Sequence, residues 1–434
     1  MSPFFWGVIG FLSLFSVMAF GVPIGLAMGM VGFLGILCLE GATAALSTVG
    51  IMPFSWAADY NFMCIPLFLL MGNFANIAGV ITRFYASAYK WFGTFPGGLA
   101  ITSTIACGAF GAVSGSSSAA AAIMSTICIP EMKKYHYDPR LMTGCIAVGG
   151  TLAILIPPSL SFIIYGLITE ESIGKLFIAG IIPGIISVAL ISFTTWIRCK
   201  FNMALGPPAE ASSLKEKIHS LTGTWEVTVI FFLVIGGLYM GVFTPTEASG
   251  IGAFITFLFA FLRRKLTKEN FLSSLQATAR ITVMIFILII GAMIFNNFVA
   301  FSGIPAKINS LIKSLSVDPY LVLGFILASF FIFGCIMDTL AMMVLLLPIY
   351  YPIMISLGFD GIWFGVIVTV MAEVGLLTPP IGLNCFIIHG VFPEFKLYED
   401  IFRGVLPYLI VEIFIVLLLV MFPQICLFLP KLLK

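Results

Sequence analysis

Long apolar segments dominate the chain, and short polar interruptions separate them. Their continuity, without alternation in short segments, predicts helices that cross a bilayer, because about 20 apolar residues span its hydrocarbon core. We therefore expect an all-α polytopic membrane protein with about ten transmembrane helices. The predicted spans are 4–20, 24–39, 60–82, 141–168, 176–198, 226–243, 249–263, 280–301, 361–390 and 404–428.

Two further segments, 97–130 and 320–352, do not fit a single span. Each is too long for one straight crossing and too short for two. Each also has small or polar residues at its middle, in GAVSGSSSAA (111–120) and GCIMDTLAMM (334–343). We expect two re-entrant helical hairpins, the first entering from the cytoplasm and the second from outside. One long tilted helix at each place is the alternative. A single crossing there would, however, no longer allow the basic residues to lie together on the cytoplasmic side.

The two halves of the chain resemble each other when one is shifted by 222 residues. Coinciding pairs are Pro23 with Pro245, Pro130 with Pro352, Asp138 with Asp360, Pro157 with Pro379 and Pro158 with Pro380. After two inserted residues the shift becomes 224, and Gly166 falls on Gly390. This order predicts two repeats, 1–200 and 225–434, joined by a cytoplasmic connector over 201–224. An odd number of crossings in each half makes the second repeat inverted.

The distribution of basic residues predicts the orientation of the spans. No Lys or Arg precedes Arg83, and 16 of the 21 can all be cytoplasmic if the N-terminus lies outside. Charged residues make up 9% of the chain, so a sizeable soluble domain is excluded. The net charge of +2 does not indicate a nucleic-acid partner. MSPFFWGVIG at the N-terminus lacks the basic region of a signal peptide and is read as the first span.

Proline pairs interrupt two spans at matching positions, in LAILIPPSLSFIIYG (152–166) and VGLLTPPIGLNCFIIHG (374–390). Proline removes backbone donors, and unpaired backbone groups at membrane depth are tolerated only against protein or a watery cavity. Paired breaks in inverted halves indicate a transport site, where freed carbonyls hold a cation and helix N-termini face an anion. A structural kink at each proline pair is the alternative.

A cation site is predicted where each hairpin tip meets the break of its own half. Hydroxyl, carboxylate and carbonyl oxygens are hard donors that suit sodium. Asp338 aligns with Ser116 and is the only acid of its tip, where a carboxylate is costly without a cation. For the serine run, close helix packing is the alternative, and Glu373 could bind an ion or a proton or pair with a polar group. The candidates are Ser114, Gly115, Ser116, Ser117, Gly150, Thr151, Pro157, Asp338, Thr339, Glu373, Thr378 and Pro379.

Candidate contacts to an anionic substrate lie beside the same breaks. No membrane-buried arginine is evident, so helix N-termini after Pro158 and Pro380, together with sodium, would meet the negative charge. The candidates are Ser116, Ser117, Ser118, Pro158, Ser159, Pro380, Gly382 and Asn384. The nine cysteines and three histidines have no metal-ligand spacing, so we expect no cofactor besides the coupling ion Na⁺.

Several stretches closely resemble the large membrane subunit of tripartite ATP-independent periplasmic (TRAP) transporters, and the resemblance covers nearly the whole chain. They are FMCIPLFLLMGNFANIAGV (62–80), GAVSGSSSAAAAIMSTICIPEMKKYHYDPRLMTGCIAVGGTLAILIPPS (111–159) and VGLLTPPIGLN (374–384). The resemblance implies sodium-coupled import of a carboxylate, such as a sialic acid or a dicarboxylate, by an elevator mechanism. It also implies a bacterial inner (cytoplasmic) membrane location, a small four-helix membrane subunit and a periplasmic substrate-binding protein as partners.

Other functions fit the residues less well. A stand-alone sodium–carboxylate symporter of a related inverted-repeat fold is the alternative within transport. An intramembrane enzyme would need a nucleophile with a base, or paired acids, yet Ser116, Ser117 and Ser118 have no His or Lys nearby in sequence. Asp338 likewise has no obvious acid partner. A channel is disfavoured because paired hairpins suit alternating closure better than a continuous pore.

Overall fold

The fold consists of helices joined by short turns. The computed structural model describes residues 2–209, 212–314 and 317–432, and within those ranges it contains no strand. The helices of the first half are α1 (Pro3–Ala19), α2 (Ile24–Glu40), α3 (Ala42–Ala57), α4 (Cys64–Ile77), α5 (Val80–Phe92), α6 (Gly98–Ser114), α7 (Ser117–Lys134), α8 (Pro139–Leu155), α9 (Leu160–Thr169) and α10 (Ile173–Phe201).

The remaining helices begin in the connector between the halves. A π-helical turn, Phe232–Gly236, joins α12 to α13, and another, Leu397–Phe402, leads into α21. The helices are α11 (Leu214–Ser220), α12 (Trp225–Phe231), α13 (Gly237–Tyr239), α14 (Pro245–Leu262), α15 (Lys268–Phe301), α16 (Ile304–Ser314), α17 (Pro319–Gly334), α18 (Thr339–Ser356), α19 (Gly361–Leu377), α20 (Leu383–Val391), α21 (Arg403–Met421) and α22 (Gln424–Leu432).

The helices have the lengths and compositions of a polytopic membrane protein. In the described ranges six helices are long and apolar enough to cross a bilayer, or up to eight if each of two bent pairs is one span. Five shorter apolar helices, of 10–17 residues, accompany them. Large apolar side chains such as Phe20, Phe325 and Ile410 are exposed on the outer surface, as expected for contact with lipid. The all-α membrane architecture is therefore confirmed, whereas the figure of about ten crossings stays a prediction.

Each segment interpreted as a hairpin contains two helices that pack on each other. The first turns at Gly115 and Ser116 between α6 and α7, and the second turns over 335–338 between α17 and α18. One long tilted helix is therefore wrong at both places. The second arms extend beyond the predicted ends, to Lys134 and Ser356. The re-entrant placement of these pairs in a membrane stays a prediction.

Several predicted bounds differ from the observed ones. The span 60–82 ends at Ile77, because Gly79 takes a left-handed backbone (φ 69°) between α4 and α5. Helix α3 was not predicted, and α15 begins 12 residues before the predicted position 280. At the C-terminus the span 404–428 is two helices, because Pro423 follows the end of α21.

Helix lengths agree between the two halves. Helices α7 and α18 each have 18 residues and α8 and α19 each have 17, and the members of both pairs begin 222 residues apart. At the same shift, the single helix α15 covers all the positions of α4 and most of those of α3, which are two separate helices in the first half. These matches support the predicted repeat, while its inversion across a membrane stays a prediction.

A buried carboxylate ties the first half to the second. Glu226 of α12 is 1% exposed and accepts from Arg83 of α5 at 2.9 Å and from Arg263, directly after α14, at 3.0 Å. The connector also lies on α5, where Trp91 donates to the Lys217 carbonyl oxygen and Ser87 donates to the Ser220 carbonyl oxygen. The helix α11 within the connector is thus held against the first half.

Candidate functional site

The first hairpin tip is a short turn with a left-handed glycine. Gly115 (φ 61°) ends α6, and Ser116 begins α7 by accepting a hydrogen bond from the Ala119 N–H at 3.3 Å. Ser117 and Ser118, predicted as tip residues, lie in the first turn of α7. The buried hydroxyl of Ser114 has no hydrogen-bond partner among the described residues.

The first prolyl break lies directly against this tip. Four residues separate α8 from α9, and the two helices meet at 40°. The Leu160 N–H donates to the Gly115 carbonyl oxygen at 3.2 Å, and a Cβ at Gly115 would lie 2.6 Å from the Pro158 carbonyl oxygen. Ser159 caps α9 by accepting from the Phe162 N–H at 3.3 Å. The predicted meeting of tip and break therefore occurs in the first half.

Contact between the two halves comes from Asn384, in the first turn of α20. Its amide donates to the Ser117 hydroxyl oxygen at 2.8 Å and to the Ala147 carbonyl oxygen at 3.4 Å. Gly150 lies at the same point, because a Cβ there would be 3.3 Å from the Asn384 amide nitrogen. The side-chain oxygen of Asn384 is buried without a partner among the described residues. Residues predicted from both repeats thus form one cluster.

The second half contributes a buried carboxyl group. Thr339, the first residue of α18, donates to Glu373 Oε1 at 2.8 Å, which links the second hairpin to α19. Glu373 is 2% exposed, and its Oε2 has no partner in the described part of the chain. Ser117 lies close enough to Glu373 to interact with its carboxyl group. The Asn384 cluster and the Glu373 carboxyl are therefore neighbours.

Three buried oxygens of predicted site residues lack hydrogen-bond partners among the described residues: Ser114 Oγ beside the first hairpin tip, and Glu373 Oε2 and Asn384 Oδ1 at this junction. A buried polar atom without a partner is costly, and a buried carboxylate much more so. No Lys, Arg or His forms an ion pair with Glu373 in the described ranges. Hard oxygens around a buried acid suit a small cation such as sodium.

Some predicted residues have local roles within their own helices. Asp338 is half-buried and caps α18, accepting from the Leu340 N–H at 3.2 Å. Thr378 donates back to the Val374 carbonyl oxygen of its own helix at 2.7 Å. Thr151 and Glu373 were predicted within the breaks but are helical, as is the candidate Gly150, since α8 continues to Leu155 and α19 to Leu377. Their backbone carbonyls are therefore not freed by the proline pairs.

The two breaks differ in their surroundings. Pro157 and Pro158 are buried, whereas Pro379 and Pro380 are exposed. Gly382 precedes α20 with a left-handed backbone (φ 58°) and provides no side-chain cap to that helix. The N-terminus of α20 therefore lies beside an open surface, unlike the enclosed N-terminus of α9.

The sequence analysis missed Glu412 of α21, which is 3% exposed. Its Oε1 lies 3.2 Å from the Thr151 hydroxyl oxygen, and it shares a cavity of about 10 Å³ with Thr151, Thr369 and Glu373. That volume holds about one water molecule. The available signal was a lone acid in the apolar run PYLIVEIFIVLLL (407–419), because an ionisable residue at membrane depth indicates function.

Comparison with known proteins assigns the family. Residues 11–425 match the family described as tripartite ATP-independent periplasmic transporter, DctM component. The chain is 34% identical over 406 residues to the C4-dicarboxylate TRAP transporter large permease protein DctM of Pseudomonas aeruginosa, covering 93% of this chain and 94% of that one. It is 30% identical over 416 residues to the sialic acid TRAP transporter large permease protein SiaM of Vibrio cholerae, covering 95% of both.

The fold has a relative among solved structures. The YdaH transporter of Alcanivorax borkumensis superposes with a TM-score of 0.63, at 15% sequence identity and with 98% of each chain covered. At that identity the likeness concerns the fold alone. Together with the nearly full-length sequence matches, these findings confirm the resemblance, and the chain belongs to the DctM family of TRAP transporter large permeases.

Proposed function

We propose that the chain imports an organic acid, such as a sialic acid or a dicarboxylate, with sodium as the coupling ion. The observation that carries this proposal is a pair of buried oxygens, Glu373 Oε2 and Asn384 Oδ1, that lack hydrogen-bond partners among the described residues. They lie where the first hairpin, both broken helices and Thr339 meet. No enzymatic step is part of the proposal.

Sodium suits this junction better than a softer or a divalent metal. The available donors are hydroxyl, amide and carboxylate oxygens, and one carboxylate balances one monovalent charge. A sodium ion would stabilise the buried Glu373 carboxylate, to which the Thr339 hydroxyl donates a hydrogen bond at 2.8 Å. Binding of the ion would also draw α7, α19 and α20 together.

A carboxylate substrate suits the helix termini beside the ion. The N-terminus of α20 has no side-chain cap and lies next to the exposed Pro380, so its free N–H groups and positive dipole end can meet an anion. C4-dicarboxylates and sialic acid, named for the two relatives, both carry a carboxylate. Selection between these two substrates would depend on protein groups that contact the rest of the substrate, away from the carboxylate that both share.

Import would follow an elevator movement of the hairpins and broken helices against the remaining helices, in two inverted repeats. The equal helix lengths at a 222-residue spacing support the repeat. A periplasmic substrate-binding protein and a small four-helix subunit complete the transporter in the bacterial inner membrane, as membership of a tripartite family suggests. The alternative is a stand-alone sodium–carboxylate symporter, which would transport without either partner.

Reconstitution tests both possibilities. Proteoliposomes that contain the chain with its small subunit receive a binding protein loaded with a carboxylate from a panel of organic acids. We expect uptake that needs an inward sodium gradient and is indifferent to ATP. Equal uptake with potassium in place of sodium would overturn the coupling, and equal uptake without the binding protein and small subunit would favour the stand-alone symporter.

A further inference from the structure

A large apolar cavity of about 640 Å³ lies between α5, α6, α10 and α12. Its volume is within the range of about 300–1,000 Å³ that ligand sites occupy. Among the described side chains that line it, only Ser192 and Thr228 are polar. None of the candidate cation or substrate residues lines it within the described ranges, so the proposed import does not account for this space.

Small residues on α6 produce the cavity. Gly108, Ala109 and Ala112 line it from successive turns of that helix, where larger side chains would fill the space. Ile156, which directly precedes the first proline pair, also lines it, and a Cβ at Gly108 would lie 2.9 Å from Ile156 Cδ1. Aromatic side chains of α5 and α12 complete the lining. The cavity therefore reaches inward as far as the first break.

The cavity opens on the outer surface of the bundle. Ile185 of α10 and Phe232 of α12 line it and are 63% and 67% exposed. In a chain that spans a membrane, such an apolar opening faces hydrocarbon. An unfilled space would deprive the lining atoms of van der Waals contacts, and a neighbouring lipid chain can supply them. An acyl chain is therefore the occupant that suits both the lining and the opening.

Polar groups that suit the rest of a phospholipid lie on α10. Ser192, Trp196 and Lys200 are spaced four residues apart, which places them on successive turns of one face. The buried hydroxyl oxygen of Ser192 has no hydrogen-bond partner among the described residues, so its proton is available to an ester oxygen. Lys200 Nζ lies 4.7 Å from the centre of the Trp196 ring, so the ammonium group is turned back towards the level of that ring.

The charge of Lys200 indicates which headgroup would bind. Lys200 is exposed in the last turn of α10 and forms no ion pair in the part of the chain that the structure describes. The sequence places this end of α10 beside the cytoplasmic connector, and tryptophan and lysine are typical of membrane–water interfaces. Because the cytoplasmic leaflet carries anionic lipids, a lipid phosphate is the complementary group.

We propose that the cavity binds one acyl chain of an anionic phospholipid, with Ser192 donating to the ester and Lys200 facing the phosphate. The site goes beyond the proposed import and does not depend on it. Only its consequence for movement rests on that function. The lining combines α6 and Ile156, from the hairpin and the broken helix, with α5 and α12, which Glu226 ties together. A bound chain would thus fill the space between the moving and the stationary helices.

Photocrosslinking tests the proposal. The full chain is reconstituted with its small subunit in vesicles of phosphatidylethanolamine and phosphatidylglycerol, and part of the phosphatidylglycerol carries a diazirine at the end of one acyl chain. Mass spectrometry then locates the label. We expect saturable labelling of Ala112 and Ile156, which unlabelled phosphatidylglycerol competes away better than phosphatidylcholine does. Labelling confined to outward-facing side chains such as Ile410 would overturn the proposal.

A substitution that fills the cavity provides the matched comparison. Ala109→Phe places an aromatic ring in the space and should remove the label from Ile156. Ala277→Phe is the control, because it adds the same ring at an exposed position of α15 and should leave the label unchanged. A label on Ile156 that survives Ala109→Phe would contradict the assigned site.

A surface variant covers the case in which Ala109→Phe does not fold. Lys200→Gln should lower the preference for phosphatidylglycerol over phosphatidylcholine by about fivefold, the effect of one lysine near a membrane surface. Lys175→Gln, at the other end of α10, should not change it. An unchanged preference in Lys200→Gln would overturn the proposal.

The small subunit is the competing occupant. Labelling of Ile156 that is present with the chain alone and disappears when the small subunit is added would show that a helix of that subunit fills the cavity, and would overturn the lipid site. Because none of these measurements needs a sodium gradient, failure of sodium coupling would appear separately, in the uptake assay.

Discussion

Asn384 donates its amide N–H to the Ser117 hydroxyl oxygen at 2.8 Å, and this bond joins the second broken helix to the first hairpin. The two residues are 267 positions apart in the chain and belong to different repeats. Their pairing makes the candidate site a shared structure of both halves. Substitution of either side chain should therefore affect sodium-dependent substrate binding, since the site is formed by both halves.

Asn384→Ala and Ser117→Ala should each weaken sodium-dependent substrate binding, because each removes the 2.8 Å hydrogen bond between the two buried side chains. The two effects should be non-additive, with a coupling of about 0.5–1.5 kcal/mol. Calorimetric titration of the parent, both single variants and the double variant measures that coupling. Asn297→Ala is a suitable control, since the Asn297 amide donates within its own helix, to the Met293 carbonyl oxygen. Additive losses would mean that the two residues act independently.

Gly115→Ala should separate the first hairpin tip from the first break. Its left-handed backbone disfavours alanine by about 1–2 kcal/mol, and the added methyl group would lie 2.6 Å from the Pro158 carbonyl oxygen. We expect a lower thermal midpoint and loss of uptake. Gly324→Ala serves as the control, because nothing lies within 4 Å of a Cβ at that position in the second hairpin. Parent-like uptake by Gly115→Ala would show that the close approach is dispensable.

Asp338→Asn removes a charge and retains the helix cap. Asparagine caps helices as well as aspartate does, so α18 should keep its bond to the Leu340 N–H. If the carboxylate helps to hold the cation, sodium affinity should fall on the order of tenfold in an uptake titration. Asp318→Asn is the matched control, since Asp318 caps α17 in the same way. Unchanged sodium dependence would restrict Asp338 to its capping role.

Orientation in the membrane can be tested with impermeant thiol reagents. Eight of the nine cysteines are buried and Cys38 is exposed. The Cys38→Ala variant therefore has no exposed native thiol that would react with the reagent. On that background Ser2→Cys should label in intact spheroplasts and Ser213→Cys should label only after lysis. Both positions are exposed in the structure. The reverse pattern would place the N-terminus inside and exchange the sides from which the hairpins enter.

The candidate site could be predicted from the sequence because proline pairs and small polar residues interrupt apolar helices locally. Proline removes a backbone hydrogen-bond donor wherever it stands in a helix. The sequence grouped Ser117 with the first tip and Asn384 with the second break, but their hydrogen bond depends on how the two repeats pack. The first tip does meet the first break, through Gly115 and Leu160. Such contacts follow from tertiary packing, which no local pattern specifies.

The same limit explains Glu412 and the second break. Glu412 lies outside every predicted tip and break, and only the packing of α21 on α8 brings it to Thr151. The repeat assigned the same role to both proline pairs, yet Pro157 is buried and Pro379 is exposed. A shift of 222 residues aligns backbone interruptions, but it carries no information on what packs against each of them.

Glu226 gives the junction of the halves an unequal tolerance to substitution. One of its oxygens accepts from Arg83 and the other from Arg263, so loss of either arginine leaves the buried acid with a cationic neighbour. Loss of Glu226 instead leaves two guanidinium groups facing each other across the space it occupied. Natural variation should therefore be permissive at each arginine taken singly and restrictive at the acid, which makes one carboxylate the common anchor of three helices.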